Sequence, residues 1–319
     1  MTFTPKKRFV AQRIAINLKQ CLLAGLLFSP FSYSTTLSDA ILTKIDTHYI
    51  EPGLANELKS HFPDISDIQD QAAVADILTE YLTRFDKHFT VEYLSPETPA
   101  HVAKAPSWFE RLEQDEYGFT HYDVIESNIG YVNFWGFAQL TRESRLKVQN
   151  VMNTFTHAEG LIIDLRQNGG GSGEMVSWLS SYFLNGRVHM NSFYTRTSNS
   201  WHHFYTSEDI DNDHLETIPL YILTSHETFS AAEEFAYNLQ QLNRATIVGE
   251  TSKGGANPWR WFTIPGYDYR IGIPTRKAIN PITHSNWEGV GVAPDIQVSE
   301  DVALETAISL LREKLAGNK

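Results

Sequence analysis

Ile218-Pro-Leu-Tyr-Ile-Leu-Thr-Ser-His-Glu-Thr-Phe-Ser-Ala-Ala-Glu-Glu-Phe-Ala-Tyr-Asn-Leu239 changes its pattern halfway along. The apolar run 218–223 reads as a short buried strand. Small and polar residues then turn the chain. Ala231, Phe235 and Leu239 follow at helical spacing, so Ser230 sits where a strand-turn ends and a helix begins. Two readings of Ser230 follow. Ser230-x-x-Glu233 is a capping box, a common way to start a helix. A hydroxyl beside free backbone N–H groups at the positive end of a helix is also well placed for a nucleophile whose reaction builds an oxyanion.

The same grammar recurs upstream. Residues 160–166 read as a buried strand, Asn168-Gly-Gly-Gly-Ser-Gly173 as a turn and 174–184 as a helix. With a third strand at 245–248, this alternation predicts an α/β core with parallel strands. The glycine turn lacks the Gly-Lys-Ser/Thr ending of a P-loop and the spacing of a dinucleotide fingerprint. It suits an oxyanion hole, where a carbonyl must approach a bare N–H, or simply a tight turn with positive φ.

Composition narrows the partners. The 319 residues are 42% apolar and carry a formal charge of −12. All five charges in residues 1–34 are basic, so the remainder holds 21 Lys and Arg against 38 Asp and Glu. Such a body disfavours nucleic acid and anionic membranes. Residues 1–34 read as a Sec-type signal peptide cleaved near Ser34: a basic stretch (Lys6, Lys7, Arg8, Arg13, Lys19), an apolar stretch 21–28, then Pro30 and small residues. A periplasmic or secreted protein with no stable membrane anchor follows. Cys21 is the sole cysteine and lies in this leader; the mature chain would hold neither disulfide nor thiolate nucleophile. The 12 histidines show no HExxH spacing, and no metal or cofactor is expected.

Between leader and core, Leu37, Ile41, Ile45 and Tyr49 recur every four residues, with Ser38-Asp39 as a cap; further helices are expected at 55–62 and 69–85. Residues 36–94 thus read as a helical subdomain ending in Asp86-Lys-His88. Residues 95–116, with three prolines, read as a linker. The α/β core spans 117–319, with strands near 118–125 and 129–134 and a helix at 142–155.

Four motifs then occur in order: Asp164-Leu-Arg-Gln-Asn-Gly-Gly-Gly171, Thr228-Phe-Ser-Ala-Ala-Glu233, Arg244-Ala-Thr-Ile-Val-Gly-Glu-Thr251 and Trp287-Glu-Gly-Val-Gly-Val-Ala-Pro-Asp295. Together they resemble the tail-specific serine protease family: C-terminal processing peptidases, the tricorn core and the interphotoreceptor retinoid-binding protein. The resemblance implies a ClpP/crotonase-like core with a small N-terminal helical subdomain. It implies a serine peptidase acting on peptides or protein tails, with Ser230 as nucleophile and the N–H groups of Ala231 and Gly170 as oxyanion hole. The processing peptidases' base is a lysine that falls at Gly255 here, two positions after Lys253. The tricorn-like branch instead uses a histidine and a glutamate, matched by His88 and Glu288. Tricorn's linking serine is replaced by Lys87. His88 is therefore the expected base and Glu288 its orienting acid, with Lys253 as the alternative base and His226 as the nearer histidine. About 40 residues separate His88 from Gly130, too few for the PDZ domain common in this family; an extended peptide could still add to a sheet edge. The retinoid-binding relative also leaves open a non-catalytic module for apolar ligands, and an inactive paralogue regulating other proteases is a third reading.

Overall fold

The computed structural model describes residues 35–95, 105–210 and 213–317. The expected signal peptide, 1–34, lies outside them. Residues Thr36–Lys319 form one compact unit; among the described residues no helix is long and apolar enough to cross a membrane.

The chain opens with α1 (Leu37–His48), α2 (Leu54–Leu58) and α3 (Gln71–Leu82). Ile41 and Ile45 are buried, as their spacing requires. The cap of α1 is Thr36, not Ser38 or Asp39: its side chain accepts the Asp39 N–H at 3.1 Å. Asp70 caps α3 by accepting from the N–H groups of Ala72 and Ala73. The helical stretch then ends in a strand, β1 (Thr90–Tyr93). Part of the expected linker is helical: α4 (Trp108–Gln114) starts in a capping box between Ser107 and Glu110.

The core follows with β2 (Phe119–Ile125), β3 (Ile129–Phe134), α5 (Arg142–Asn153), β4 (Gly160–Asp164) and α6 (Gly173–Ser180). A hairpin, β5 (His189–Thr195) and β6 (Ser200–Tyr205), precedes α7 (Asp213–Thr217), β7 (Leu220–Thr224), α8 (Ala231–Gln241) and β8 (Thr246–Gly249). The chain ends with β9 (Trp259–Thr263), β10 (Tyr269–Pro274), β11 (Arg276–Ile279), β12 (Ile296–Gln297) and α9 (Glu300–Gly317).

Among the described residues, the central sheet has six strands in the order β12-β8-β7-β4-β3-β2. Neighbours from β12 to β3 are parallel; β2 is antiparallel to β3. Strand periodicity divides the core between the two faces. Leu161 and Ile163 point to the side covered by α5, α6 and α8, with Val148, Val176 and Phe235. Ile162 points to the other side, with Ala303, Ala307 and Leu311 of α9. The mixed α/β class is therefore the one the alternation predicted.

Two small sheets complete the unit, in the orders β1-β10-β9 and β11-β5-β6. β1 pairs with β10 from Thr90↔Gly272 to Tyr93↔Tyr269. Helices α1 to α3 pack on this sheet through Ile45, Leu78, Leu82, Val91 and Ile271. This pairing fixes the turn just before β1, which carries His88, against the loop just before β9.

Candidate active site

Two strand-to-helix crossings lie at the carboxyl ends of β4 and β7, and hydrogen bonds zip them together. Thr228 donates its hydroxyl to Leu165 O at 2.8 Å, and Phe229 N–H donates to Asn168 O at 3.0 Å. Asn168 also donates its amide to Phe134 O at 2.8 Å, so the Asn before the glycines is a staple and not a ligand. Asp164 and Arg166, the start of the first motif, pair with each other at 2.6 Å, while Arg166 also reaches Glu300 O. Those two residues tie the carboxyl end of β4 to the start of α9.

Ser230 is the N-cap of α8 with φ 56° and ψ −117°. Only glycine adopts such backbone readily, and a serine there costs of order 1–3 kcal/mol unless its surroundings dictate it. The surroundings do. Glu233 accepts the Ser230 N–H at 2.7 Å, the predicted capping-box contact. Glu233 also accepts from Ser252 Oγ (2.6 Å), Gly254 N (2.6 Å) and Gly255 N (2.9 Å). Burial pushes this acid up to about 7; four donors and no acceptor around it favour the carboxylate at neutral pH.

Gly170 faces this elbow. A Cβ on it would lie 2.7 Å from Phe229 O and 2.8 Å from both Ala231 N and Ser230 Cβ, and its φ is +91°. Only glycine fits there. Its N–H, however, donates to Asn168 Oδ1 at 2.9 Å, and that of Gly169 to Trp135 O at 3.0 Å. The expectation that Gly170 offers a free donor is corrected by this bond. Among the described residues, the N–H groups of Ala231 and Gly171 have no protein acceptor.

His88 arrives from 142 residues upstream, and its Nε2 lies 3.1 Å from Ser230 Oγ. It is 6% exposed, and its ring packs on Phe229 with centroids 4.6 Å apart. Burial pulls its pKa down to about 3, so the ring is neutral at physiological pH. Its Nδ1 is buried without a partner.

Glu288 and Asp86 flank the imidazole. One Nδ1 or Nε2 atom of His88 and one carboxylate oxygen from each acid lie within 4.8 Å of one another. Asp86 Oδ1 accepts the His88 backbone N–H at 3.0 Å and stands 3.8 Å from Nδ1, beyond hydrogen-bond reach. Asn257 donates to Asp86 Oδ2 at 3.0 Å. Glu288 Oε2 accepts from the N–H groups of Ala256 (2.6 Å) and Asn257 (3.1 Å), while Oε1 is buried without a partner. Burial is the main cause that raises both acids, Glu288 to about 7 and Asp86 to about 6. Their mutual repulsion raises Glu288 further. These three side chains could also hold a cation, but tetrahedral ligands of a zinc ion stand no more than about 3.6 Å apart.

The other candidates are more exposed, although the Lys253 ammonium lies over the Phe229 ring, 5.6 Å from its centroid. Lys253 has a side chain 47% exposed and pairs with Glu227 at 3.6 Å. His226 is 75% exposed and faces Glu250 at 3.4 Å. Lys87 is exposed, so the position of the family's linking serine faces away from the site. A Cβ on Gly255 would lie 2.2 Å from the Phe229 ring and 2.9 Å from His88 Cε1. The space a lysine at 255 would need is filled by His88 and the ring beneath it. Asp86 and Asn257 were not foreseen; the only hint of Asp86 was its place two residues before His88, where an aspartate can accept a backbone N–H.

Residues 128–298 match Peptidase family S41. The match covers more than half of the 319 residues, and the chain belongs to Peptidase family S41. Among solved structures it is similar to a presumed peptidase from Parabacteroides merdae ATCC 43184 (TM-score 0.62, 20% identity, 86% of this chain and 95% of that one). It is similar to a lipoprotein from Streptococcus agalactiae (TM-score 0.59, 16% identity, 86% and 95%). It is also similar to a photosystem II D1 C-terminal processing protease (TM-score 0.52, 14% identity, 84% and 94%). At these identities the likeness is one of fold, and it agrees with the family read from the four motifs.

Proposed function

We propose that this peptidase cleaves peptide bonds by an acyl-enzyme route, with Ser230 as nucleophile, His88 as general base and Glu288, aided by Asp86, as the acid behind the base. The observation that carries it is the 3.1 Å contact between His88 Nε2 and Ser230 Oγ. A serine hydroxyl needs a base within hydrogen-bond reach, and a neutral imidazole is such a base. Ser230 Oγ attacks the scissile carbonyl as Nε2 takes its proton. The charge on the carbonyl oxygen is met by the Ala231 N–H and by the glycine turn, through Gly171 rather than Gly170. The bare Cα of Gly170 lets the glycine turn lie against the elbow without covering the Ala231 N–H. Nδ1–H of the imidazolium turns toward Glu288 Oε1 or Asp86 Oδ1, directly or through one water. His88 then protonates the leaving amine, and water releases the acyl group by the reverse steps.

The substrate is a peptide or protein. The net charge gives no support to a nucleic-acid partner. The basic-then-apolar pattern of residues 1–34 supports export to the periplasm or beyond, with no anchor after cleavage. Peptide hydrolysis by the purified protein, lost in Ser230→Ala at unchanged fold, is the expected outcome. Hydrolysis retained in that variant overturns the reading. A saturable complex with an apolar ligand and no turnover of any peptide moves it to the binding module.

A further inference from the structure

A cavity of about 990 Å³ opens between the C-terminal end of α1, the β5–β6 turn, β9 and the start of β11. Among the described residues, its wall carries Arg260, Arg276, Arg196, His48 and His202, and no Asp or Glu. In a protein of net charge −12 this is a concentration of the minority charge. Arg196 is committed to structure, donating to the carbonyls of Asp46, Thr47 and Tyr49 at 2.9 Å. The guanidinium groups of Arg260 and Arg276 are not: among the described residues neither makes a hydrogen bond or ion pair with a protein group, although the Arg276 backbone N–H donates to Pro258 O at 3.3 Å. The Arg276 guanidinium is half-buried over the Phe193 ring, 5.3 Å from its centroid, and feels the repulsion of Arg260. A guanidinium held partly out of water with its donors free awaits an acceptor.

The cavity lies beside the proposed site. Arg276 feels the charges of Glu174 and Glu234. Glu234 donates its N–H to Ser230 O at 2.9 Å, and Glu174 accepts from Ser172, next to Gly171, at 2.9 Å. Both acids thus open the helices that carry the two catalytic turns, and neither lines the cavity. On the other side, Thr275 N–H donates to Pro258 O at 3.0 Å, and Pro258 follows Asn257, the partner of Asp86. An extended peptide advances about 3.4 Å per residue. A peptide running from the site along residues 257–258 would bring a residue beyond the cleaved bond toward the guanidinium pair.

We propose that Arg260 and Arg276 form a carboxylate-binding subsite that selects peptides bearing a negative charge a few residues from the cleaved bond. This rests on the peptidase reading. Two parallel N–H donors per guanidinium match the two oxygens of a carboxylate. The carboxylate is either the end of the substrate chain or an Asp or Glu side chain.

The test measures binding, so it does not depend on turnover. Fluorescence anisotropy on full-length Ser230→Ala would compare labelled peptides ending in a free carboxylate, the same peptides amidated, and amidated peptides with an internal Glu or its Gln counterpart. Arg260→Glu and Arg276→Lys would follow in the same background, with circular dichroism to check the fold. Tighter binding of a carboxylate peptide by tenfold or more, abolished by Arg260→Glu and weakened by Arg276→Lys, supports the subsite. Preference for the free chain end assigns the chain terminus; preference for Glu over Gln in amidated peptides assigns the side chain. Equal binding of charged and neutral peptides, no binding of either, or a preference that survives both variants overturns the subsite. Failure of the peptidase reading shows separately, as no turnover by the unmodified protein.

Discussion

Two acids of different character stand behind the Ser230–His88 pair. Glu233, on the elbow side, takes four donors on its two oxygens. Glu288, on the base side, takes two donors on one oxygen and leaves the other bare, beside a histidine whose Nδ1 is also bare. Burial raises both to about 7. The difference lies in what each has left to give. A saturated carboxylate can only hold its neighbours still, and Glu233 clamps the strained Ser230 backbone to the 252–255 loop. An unsaturated one can still take a proton or a hydrogen bond when charge appears on His88. The nucleophile side is built to be rigid and the base side to respond.

Removing the base should have the largest effect. His88→Ala leaves Ser230 without a proton acceptor, and kcat/KM should fall by about 10⁴ or more, as for other serine peptidases that lose one member of the set. Glu288→Gln comes next. Its amide can donate to Nδ1 and so leave the proton on Nε2, the wrong tautomer for a base; kcat should fall by about 10²–10⁴ with KM little changed. In the parent protein the same acids set the pH profile. His88 stays neutral down to about 3, so the acid limb of kcat should follow Asp86 and Glu288, near 6–7. Activity should rise as pH climbs through that range, and Glu288→Gln should flatten the limb.

Stability runs the opposite way. The folded-state value of Glu288 lies above its ordinary 4.5. The group therefore favours the fold fully below about 4.5 and loses that contribution as pH rises through about 7. Thermal melts of Glu288→Gln against the parent should show the variant gaining in relative Tm from pH 5 to pH 8. A constant difference would mean that the acid is not held near neutrality.

Glu233→Gln tests the other half of the comparison. The amide end cannot accept, so at least one buried donor loses its partner, and stability should drop by about 1–3 kcal/mol, read as a lower denaturation midpoint. If Glu233→Gln lost activity at full stability, the division into clamp and responder would be wrong. The smallest effect is expected from Lys253→Ala: an exposed pair with Glu227 contributes at most about 1 kcal/mol, and kcat/KM should change less than about threefold.

The elbow was legible because its cues are local. A strand, a turn of small residues and a helical repeat sit within 22 residues, and the glycine turn repeats the grammar. His88 and Glu288 were named only through the resemblance to the tricorn-like branch, since a contact such as that of His88 with Ser230, across 142 residues, has no local signature. What stayed hidden depends on such distant pairings. β1 finds β10 some 180 residues away, and that pairing turns an expected helix-then-linker stretch into a sheet that delivers Asp86 and His88. The hairpin β5–β6 and strands β9 to β11 left no clean alternation to read. Glu233 was visible as half of a capping box, but its other three donors come from residues 252–255, and nothing in Ser-Ala-Ala-Glu foretells them. The positive φ of Ser230 and the committed amide of Gly170 are likewise properties of packing between turns.

The most direct measurement is the rate of Ser230 labelling by a fluorophosphonate, with the adduct located by mass spectrometry, in the parent protein, His88→Ala and Lys253→Ala. The account predicts an adduct on Ser230 that forms at a similar rate in the parent and in Lys253→Ala and disappears in His88→Ala. An adduct that persists in His88→Ala and is lost in Lys253→Ala would contradict it and make the lysine the base.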